Sequence, residues 1–298
     1  MKKGNQTPTQ AFKLPFRKSK GNEAIELYNQ TGRICQDWQS RQLKIILAVN
    51  KDGLWVHTKY GYAVPRRNGK NEIVVMRELY GLKIGERLLH TAHRTTTSHS
   101  AAVRLATLLD ALGYTEVQRV NKETQKNDGY KKCYTFSKQF GLERIVILDK
   151  GGGSVDFRTR SGKGGLGEGF DLLVVDEAQE YTDEQQSALK YVVTDSRNPQ
   201  TIFCGTPPTA VSSGTVFPEL RENTLAGKSK NTGWAEWSVP EMSDPTDKKL
   251  WYKTNPSLGT ILKERSIEDE ITSDDLDFNI QRLGLWVKEN LKEGKING

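Results

Sequence analysis

The chain has 298 residues, with 44 Lys plus Arg against 37 Asp plus Glu, a formal charge of +7, and 35% hydrophobic residues. That length holds one large domain with room for a small subdomain, and the composition excludes fibrous and wholly disordered classes. No apolar run reaches the roughly 18 residues of a membrane span, and the polar opening MKKGNQTPTQ is unlike an export signal. The cysteines, Cys35, Cys133 and Cys204, lie far apart and form no CxxC pair. They point to a reducing compartment and against a cysteine zinc site.

Residues 1–20 carry Lys2, Lys3, Lys13, Arg17, Lys18 and Lys20 with no acid, a basic arm that reads equally as a solvated tail or as a nucleic-acid contact. The spacing predicts a helix over 22–30 and another from Asp37 through WQSRQLKIILAVN. LWVHTKYGYAVP reads as a strand stopped by Pro65. After Lys70, Ile73, Met76 and Tyr80 share one helical face, so a helix opens directly behind the loop VPRRNGKN. RLLHTA reads as a short strand, and 98–113 as a helix with Ala102, Leu105, Leu109 and Leu112 in one stripe. ERIVILD and SVDFRTR form an expected hairpin turning at Lys150–Gly153. FDLLVVDE is a continuous apolar run ending in acids, the pattern of a strand buried on both faces. A helix from about Asp183 to Thr194 and a strand, TIFCGT, complete an alternation that implies an α/β fold with a parallel sheet. Beyond Pro208 the sequence becomes polar and less regular, which suggests a smaller subdomain.

Two stretches carry chemistry. A phosphate site asks for backbone N–H groups converging on the anion, a helix N-terminus and a lysine. The order strand, VPRRNGK, helix supplies them through Gly69 and Lys70, although Val64 stands where such loops begin with glycine and Asn71 where they end in Ser or Thr. A nucleoside triphosphatase also needs one carboxylate for hydrated Mg²⁺ and one to orient water. Asp176 and Glu177, closing the strand LLVV about 105 residues later, fit that need at the sheet edge where ligands bind. Gln39 offers a donor and an acceptor to an adenine edge, and Thr206 stands at the tip of the next strand.

VPRRNGKN, LLVVDEAQE, IFCGTPP, NPSLG and FNIQRLGLW together resemble the large terminase subunit of tailed double-stranded DNA bacteriophages, over about residues 35–288. The resemblance implies a P-loop NTPase of the RecA/ASCE-like kind, with a mostly parallel central sheet flanked by helices and a small lid subdomain. The expected division is a basic arm and lid-associated helix over 1–34, an ATPase core over 35–215 and a lid over 216–298. The implied activity is an ATP-hydrolysing motor, with ATP and Mg²⁺, that drives double-stranded DNA into a procapsid. Implied partners are the portal protein, a small terminase subunit and identical subunits in a ring, with a monomer expected in isolation. No membrane is involved, and the implied location is the host cytoplasm, at the portal.

On this resemblance Lys70 binds the β/γ phosphates within a loop of Arg66, Arg67, Asn68, Gly69 and Asn71, with Arg66 answering the γ-phosphate. Asp176 and Asn71 hold the metal, Glu177 polarises water, Gln39 reads adenine and Thr206 couples hydrolysis to movement. The family's arginine-glycine pair before the acidic strand is replaced by Leu166-Gly167, which leaves Arg158, Arg160 or Lys163 as candidates for a finger on a neighbour's nucleotide. The metal-binding carboxylates of the family's nuclease domain are not among these residues, and Asp274, Asp275 and Asp277 read as a solvated face. His93 and Arg94 are candidate DNA contacts, while His90, His93 and His99 lack a nearby carboxylate in sequence and do not suggest a metal site. GKGGLG fits a dinucleotide pattern but precedes a strand, so that reading fails on context. Two alternatives remain open: a superfamily-two helicase-like ATPase and a non-catalytic nucleotide-binding module.

Overall fold

The computed structural model describes residues 2–122, 124, 129–160 and 167–287. Its main sheet comprises ten strands in the order β1-β12-β4-β11-β10-β5-β9-β8-β7-β6. These are β1 (Gln10–Phe12), β4 (Lys59–Ala63), β5 (Arg87–Ala92), β6 (Thr115–Glu116), β7 (Cys133–Ser137), β8 (Arg144–Ile147), β9 (Ser154–Thr159), β10 (Leu172–Val175), β11 (Gln200–Gly205) and β12 (Thr232–Glu236). From β12 to β9 neighbouring strands run parallel, while β1 and β8 pair antiparallel at the flanks. A separate ribbon joins β2 (Lys18–Ser19) to β3 (Ala48–Val49). The sheet is α/β and mostly parallel at its centre, as expected.

The apolar run in β10 is explained by burial on both faces. Leu172 and Val174 enter the cluster built with the first four helices, while Leu173 and Val175 enter a second cluster with Phe203, Phe217 and Trp234. The helices of the first layer are α1 (Gly21–Asn29), α2 (Asp37–Ile46), α3 (Lys70–Ile84) and α4 (Thr95–Ala111). α4 begins earlier than its apolar stripe suggests, because the amides of Thr97 and Ser98 already fold back onto Arg94 O. α5 (Asp183–Leu189) is shorter than expected and gives way to turns by Val192. No described helix is long and apolar enough to cross a membrane.

The sequence after 215 divides differently from the expectation. α6 (Val216–Leu225) leads into β12, which pairs with β4 and is therefore part of the main sheet. A distinct small core begins only at Val239, where Trp251, Leu258, Ile267, Phe278 and Leu283 pack together. It is carried by α7 (Lys248–Thr254), α8 (Glu264–Glu268) and α9 (Asp275–Leu283), whose first turn is capped by Asp274 accepting from the Asp277 amide at 3.0 Å. The N-terminal arm is tied to both parts. β1 covers the β12 edge, Gly4 and Asn5 donate to Leu258 O and Tyr252 O, and Gln6 Nε2 donates to Pro256 O across 250 residues.

His57 fastens the rest of the arm. It is fully buried, its Nε2 accepts the Leu14 amide at 3.0 Å, and its Nδ1 lies 3.1 Å from Ile45 O. Burial lowers its pKa from the ordinary 6.5. A base held below its unfolded pKa binds fewer protons when folded, so the stability it contributes is full above pH 6.5 and is lost as pH falls below that value. Acidification from pH 7 to 5 should therefore expose residues 13–20 to limited proteolysis, and His57→Gln should flatten that dependence.

Candidate functional site

β4 delivers the loop at its C-terminal end. Val64 prolongs the pairing by donating to Gly205 O, and the backbone then turns left-handed at Arg67 (φ 62°) and Gly69 (φ 84°). The loop thus first needs positive φ three residues later than a glycine at position 64 would supply it. At Gly69 a side chain would be strained twice over, by φ and by Gln39 Nε2, 3.1 Å from where a Cβ would stand. Arg67 takes the same region without glycine's freedom, a strain of about 1–3 kcal/mol of the sort stored at binding loops. Among the described residues, the amides of Arg67, Asn68, Gly69, Lys70 and Asn71 donate to nothing. They form, with the N-terminus of α3, a run of donors suited to an anion.

The two acids stand at the same edge. Asp176 is 1% exposed and follows β10, which is separated from β4 only by β11. Asn71 Nδ2 donates to Asp176 Oδ2 at 3.0 Å, so loop and acid share one site. Asp176 Oδ1 accepts the Glu177 amide at 2.8 Å and the Cys204 thiol at 3.1 Å. Burial and that carboxylate push the Cys204 thiol well above its ordinary pKa, which keeps it a donor. Glu177 is left-handed (φ 53°), and its carboxylate accepts the His93 amide at 3.1 Å and the Thr97 hydroxyl at 3.3 Å. Gln179 Oε1 accepts the amide of buried Thr206 at 3.3 Å, tying the acidic turn to the β11 tip; a Cβ on Gly205 would meet that oxygen at 2.6 Å.

Linear distance concealed His90. Its Nδ1 lies 2.6 Å from Glu78 Oε1 of α3 and its Nε2 3.8 Å from Asp176 Oδ2, all three groups being buried. Burial pushes the imidazole pKa down, but Glu78, with help from Asp176, outweighs this and raises it. The parallel register, which sets His90 opposite Val174 two residues before Asp176, was the signal that could have found it. His99 likewise meets buried Glu143 at 2.8 Å. Among the described residues no group of three or more His, Cys, Asp and Glu is gathered for a metal; a magnesium ion here would rest on Asp176 beside the Asn71 amide and take its remaining ligands from water and phosphate.

Gln39, expected to read adenine, stands against the loop. It is 2% exposed, accepts the Gln36 amide at 2.9 Å and donates to Gly69 O at 2.9 Å, so half of the amide expected to read adenine already braces the loop. Asn68 is fully buried and turned toward the turn at 255–257. Arg66 and Arg67 are exposed; Arg66 Nε donates to Gln281 Oε1 at 2.6 Å. Arg66 shares a cleft of about 370 Å³ with Arg94, Thr206 and Asp277, whereas Arg67, Asn71, His90 and Thr97 line another of about 460 Å³ on the other flank. The exposed Arg94 thus faces the site's approach, while His93 reaches Glu177 through its backbone.

The finger candidates are engaged within their own chain. Arg160 is 7% exposed and donates to the carbonyls of Thr91, Asp176 and Glu177 at 3.0, 2.6 and 3.1 Å. Arg158 donates to the carbonyls of Glu143 and Phe157 and pairs with Asp156. Lys163 lies outside the described residues. Reaching a neighbour with Arg160 would take from Asp176 O its side-chain donor and from Thr91 O and Glu177 O one of two donors, so its geometry is that of a support for the left-handed turn at Glu177. Arg160→Ala should cost about 3 kcal/mol of stability. Its lost activity should not return on mixing with Lys70→Ala subunits, as it would for a residue acting across subunits; melting curves and turnover of the mixture check both.

The chain matches no known protein-family profile and no curated protein. Its fold is that of the ATPase domain of phage large terminases. The structure of the HK97 bacteriophage large terminase superposes with a TM-score of 0.70 at 15% identity, over 90% of this chain and 56% of that one. The Thermus phage P74-26 large terminase ATPase domain gives 0.57 at 13% identity, over 91% of this chain and 100% of that domain. This chain therefore spans little more than half of the HK97 protein and about the whole of the P74-26 domain.

Proposed function

We propose that this chain is the ATP-hydrolysing motor domain of a phage large terminase, which drives double-stranded DNA into a procapsid. The observation that carries it is the 3.0 Å contact between Asn71 and Asp176, which joins a loop of free amides and a lysine to a buried acid. In this reading the amides of residues 67–71 and the Lys70 ammonium hold the β/γ phosphates. A magnesium ion bound beside Asp176 and Asn71 would neutralise charge on those phosphates. Glu177, held by His93 and Thr97, orients the attacking water and takes up its proton as the bond to the γ-phosphorus forms and the bond to the β,γ-bridging oxygen breaks, releasing ADP. Arg66 meets the γ-phosphate after leaving Gln281, and Thr206 passes the change along β11.

The fold supports a terminase motor, and the exposed Arg94 and the basic arm suit a polyanionic partner. Partners in this reading are DNA, the portal, a small subunit and identical subunits in a ring, in the host cytoplasm. Procapsids bearing the portal, supplied with the full terminase, DNA and Mg-ATP, should accumulate nuclease-protected DNA. A non-hydrolysable analogue should give none, and equal protection with both would reject the motor.

A further inference from the structure

A phosphate-binding loop must present its N–H groups to the anion, so its carbonyls have to point away and find other donors. Loops rich in glycine reach this through backbone freedom; between Val64 and Lys70 this one has only Gly69. Its carbonyls are instead drawn outward by side chains. Asn68 Nδ2 donates to Pro65 O at 3.1 Å, Arg282 to Arg66 O at 2.8 Å, and Ser257 Oγ to Asn68 O at 2.7 Å. Gln39 Nε2 donates to Gly69 O at 2.9 Å and the Tyr62 hydroxyl to Lys70 O at 2.8 Å.

Two of these donors, Ser257 and Arg282, belong to the small core that begins at Val239, and they converge on Asn68. Its Oδ1 accepts the Ser257 amide at 3.0 Å and its Nδ2 donates to Asn255 Oδ1 at 2.9 Å, which also takes Arg282 at 3.2 Å. Arg282 is fixed in turn by Glu270 at 2.7 and 2.6 Å. Asn68, Asn255 and Ser257 are fully buried and Arg282 is 3% exposed, so water offers these groups no alternative. Neither the charge nor the spacing of NPSLG suggested such a contact.

We infer that Asn255, Ser257 and Arg282 are positioning residues that hold the phosphate loop in its anion-binding shape, a brace reaching from the small subdomain into the site. The effect on affinity rests on the nucleotide reading above; the effect on loop rigidity does not. The probe is magnesium tripolyphosphate, which engages the loop without a base, titrated against wild type, Ser257→Ala, Ser257→Thr and Asn255→Asp. Ser257→Ala should bind about tenfold more weakly, the equivalent of one buried hydrogen bond. Ser257→Thr should bind like wild type, and Asn255→Asp, which replaces the Nδ2 donor to Arg282 O with an acceptor, should weaken binding as Ser257→Ala does.

Backbone order parameters at Arg67–Lys70 in the unliganded protein should fall from about 0.85 toward 0.6 in Ser257→Ala. Affinities within about twofold of wild type together with unchanged order parameters would overturn the brace. So would a lowered melting temperature with neither of the other changes, since that marks a purely structural contact. If wild type itself fails to bind tripolyphosphate while the loop loosens in Ser257→Ala, the brace stands and the nucleotide reading fails.

Discussion

Glu177→Gln should lower ATP turnover by about 10²- to 10⁴-fold while Mg-ATP binds within about threefold of wild type. The substitution keeps the side chain's size and one oxygen for His93 N–H or Thr97 O–H, and it removes the basic carboxylate together with the other of those two contacts. A loss confined to kcat would mark a group that acts on water in the transition state. Stopped-flow binding with steady-state phosphate release separates the two constants. Turnover equal to wild type would show that Glu177 takes no part in hydrolysis.

Lys70→Ala should act on binding itself. Lys70 opens α3, directly behind the unpaired amides, and is the one lysine of the loop 64–71. A charge-assisted contact to phosphate contributes about 1.5–3 kcal/mol, so Mg-ATP affinity should fall about 10- to 100-fold, with turnover lost. Lys70→Arg should rescue little, because a planar fork does not fit where a compact ammonium sits. Calorimetric titration checks both variants; unaltered affinity in Lys70→Ala would place the triphosphate elsewhere.

The placement of these two residues at one sheet edge was legible in the sequence because the signals are local. A strand, a short loop and a helix follow one another around Gly69-Lys70, and four buried residues lead straight into Asp176. The sheet's alternation was readable for the same reason. What stayed hidden depends on register and on long-range packing. His90 meets Asp176 because β5 and β10 lie in register, and no feature near position 90 announces it. β12 looked like part of a lid because a single short strand after an irregular stretch carries too little periodicity to declare which sheet it joins. Counting arginines ahead of the acidic strand could not tell an outward guanidinium from one folded over backbone carbonyls, as Arg160 is here.

The arm's attachment bears on how the molecule is made. Gly4, Asn5 and Gln6 find their hydrogen-bond partners at Leu258, Tyr252 and Pro256, so during synthesis this segment waits for partners made some 250 residues later. Until then the seat around Asn255 lies uncovered, and the small core has no roof. Closure of the small core is thus a long-range step, and a substitution at Gly4 will be felt some 250 residues downstream before it is felt anywhere nearby.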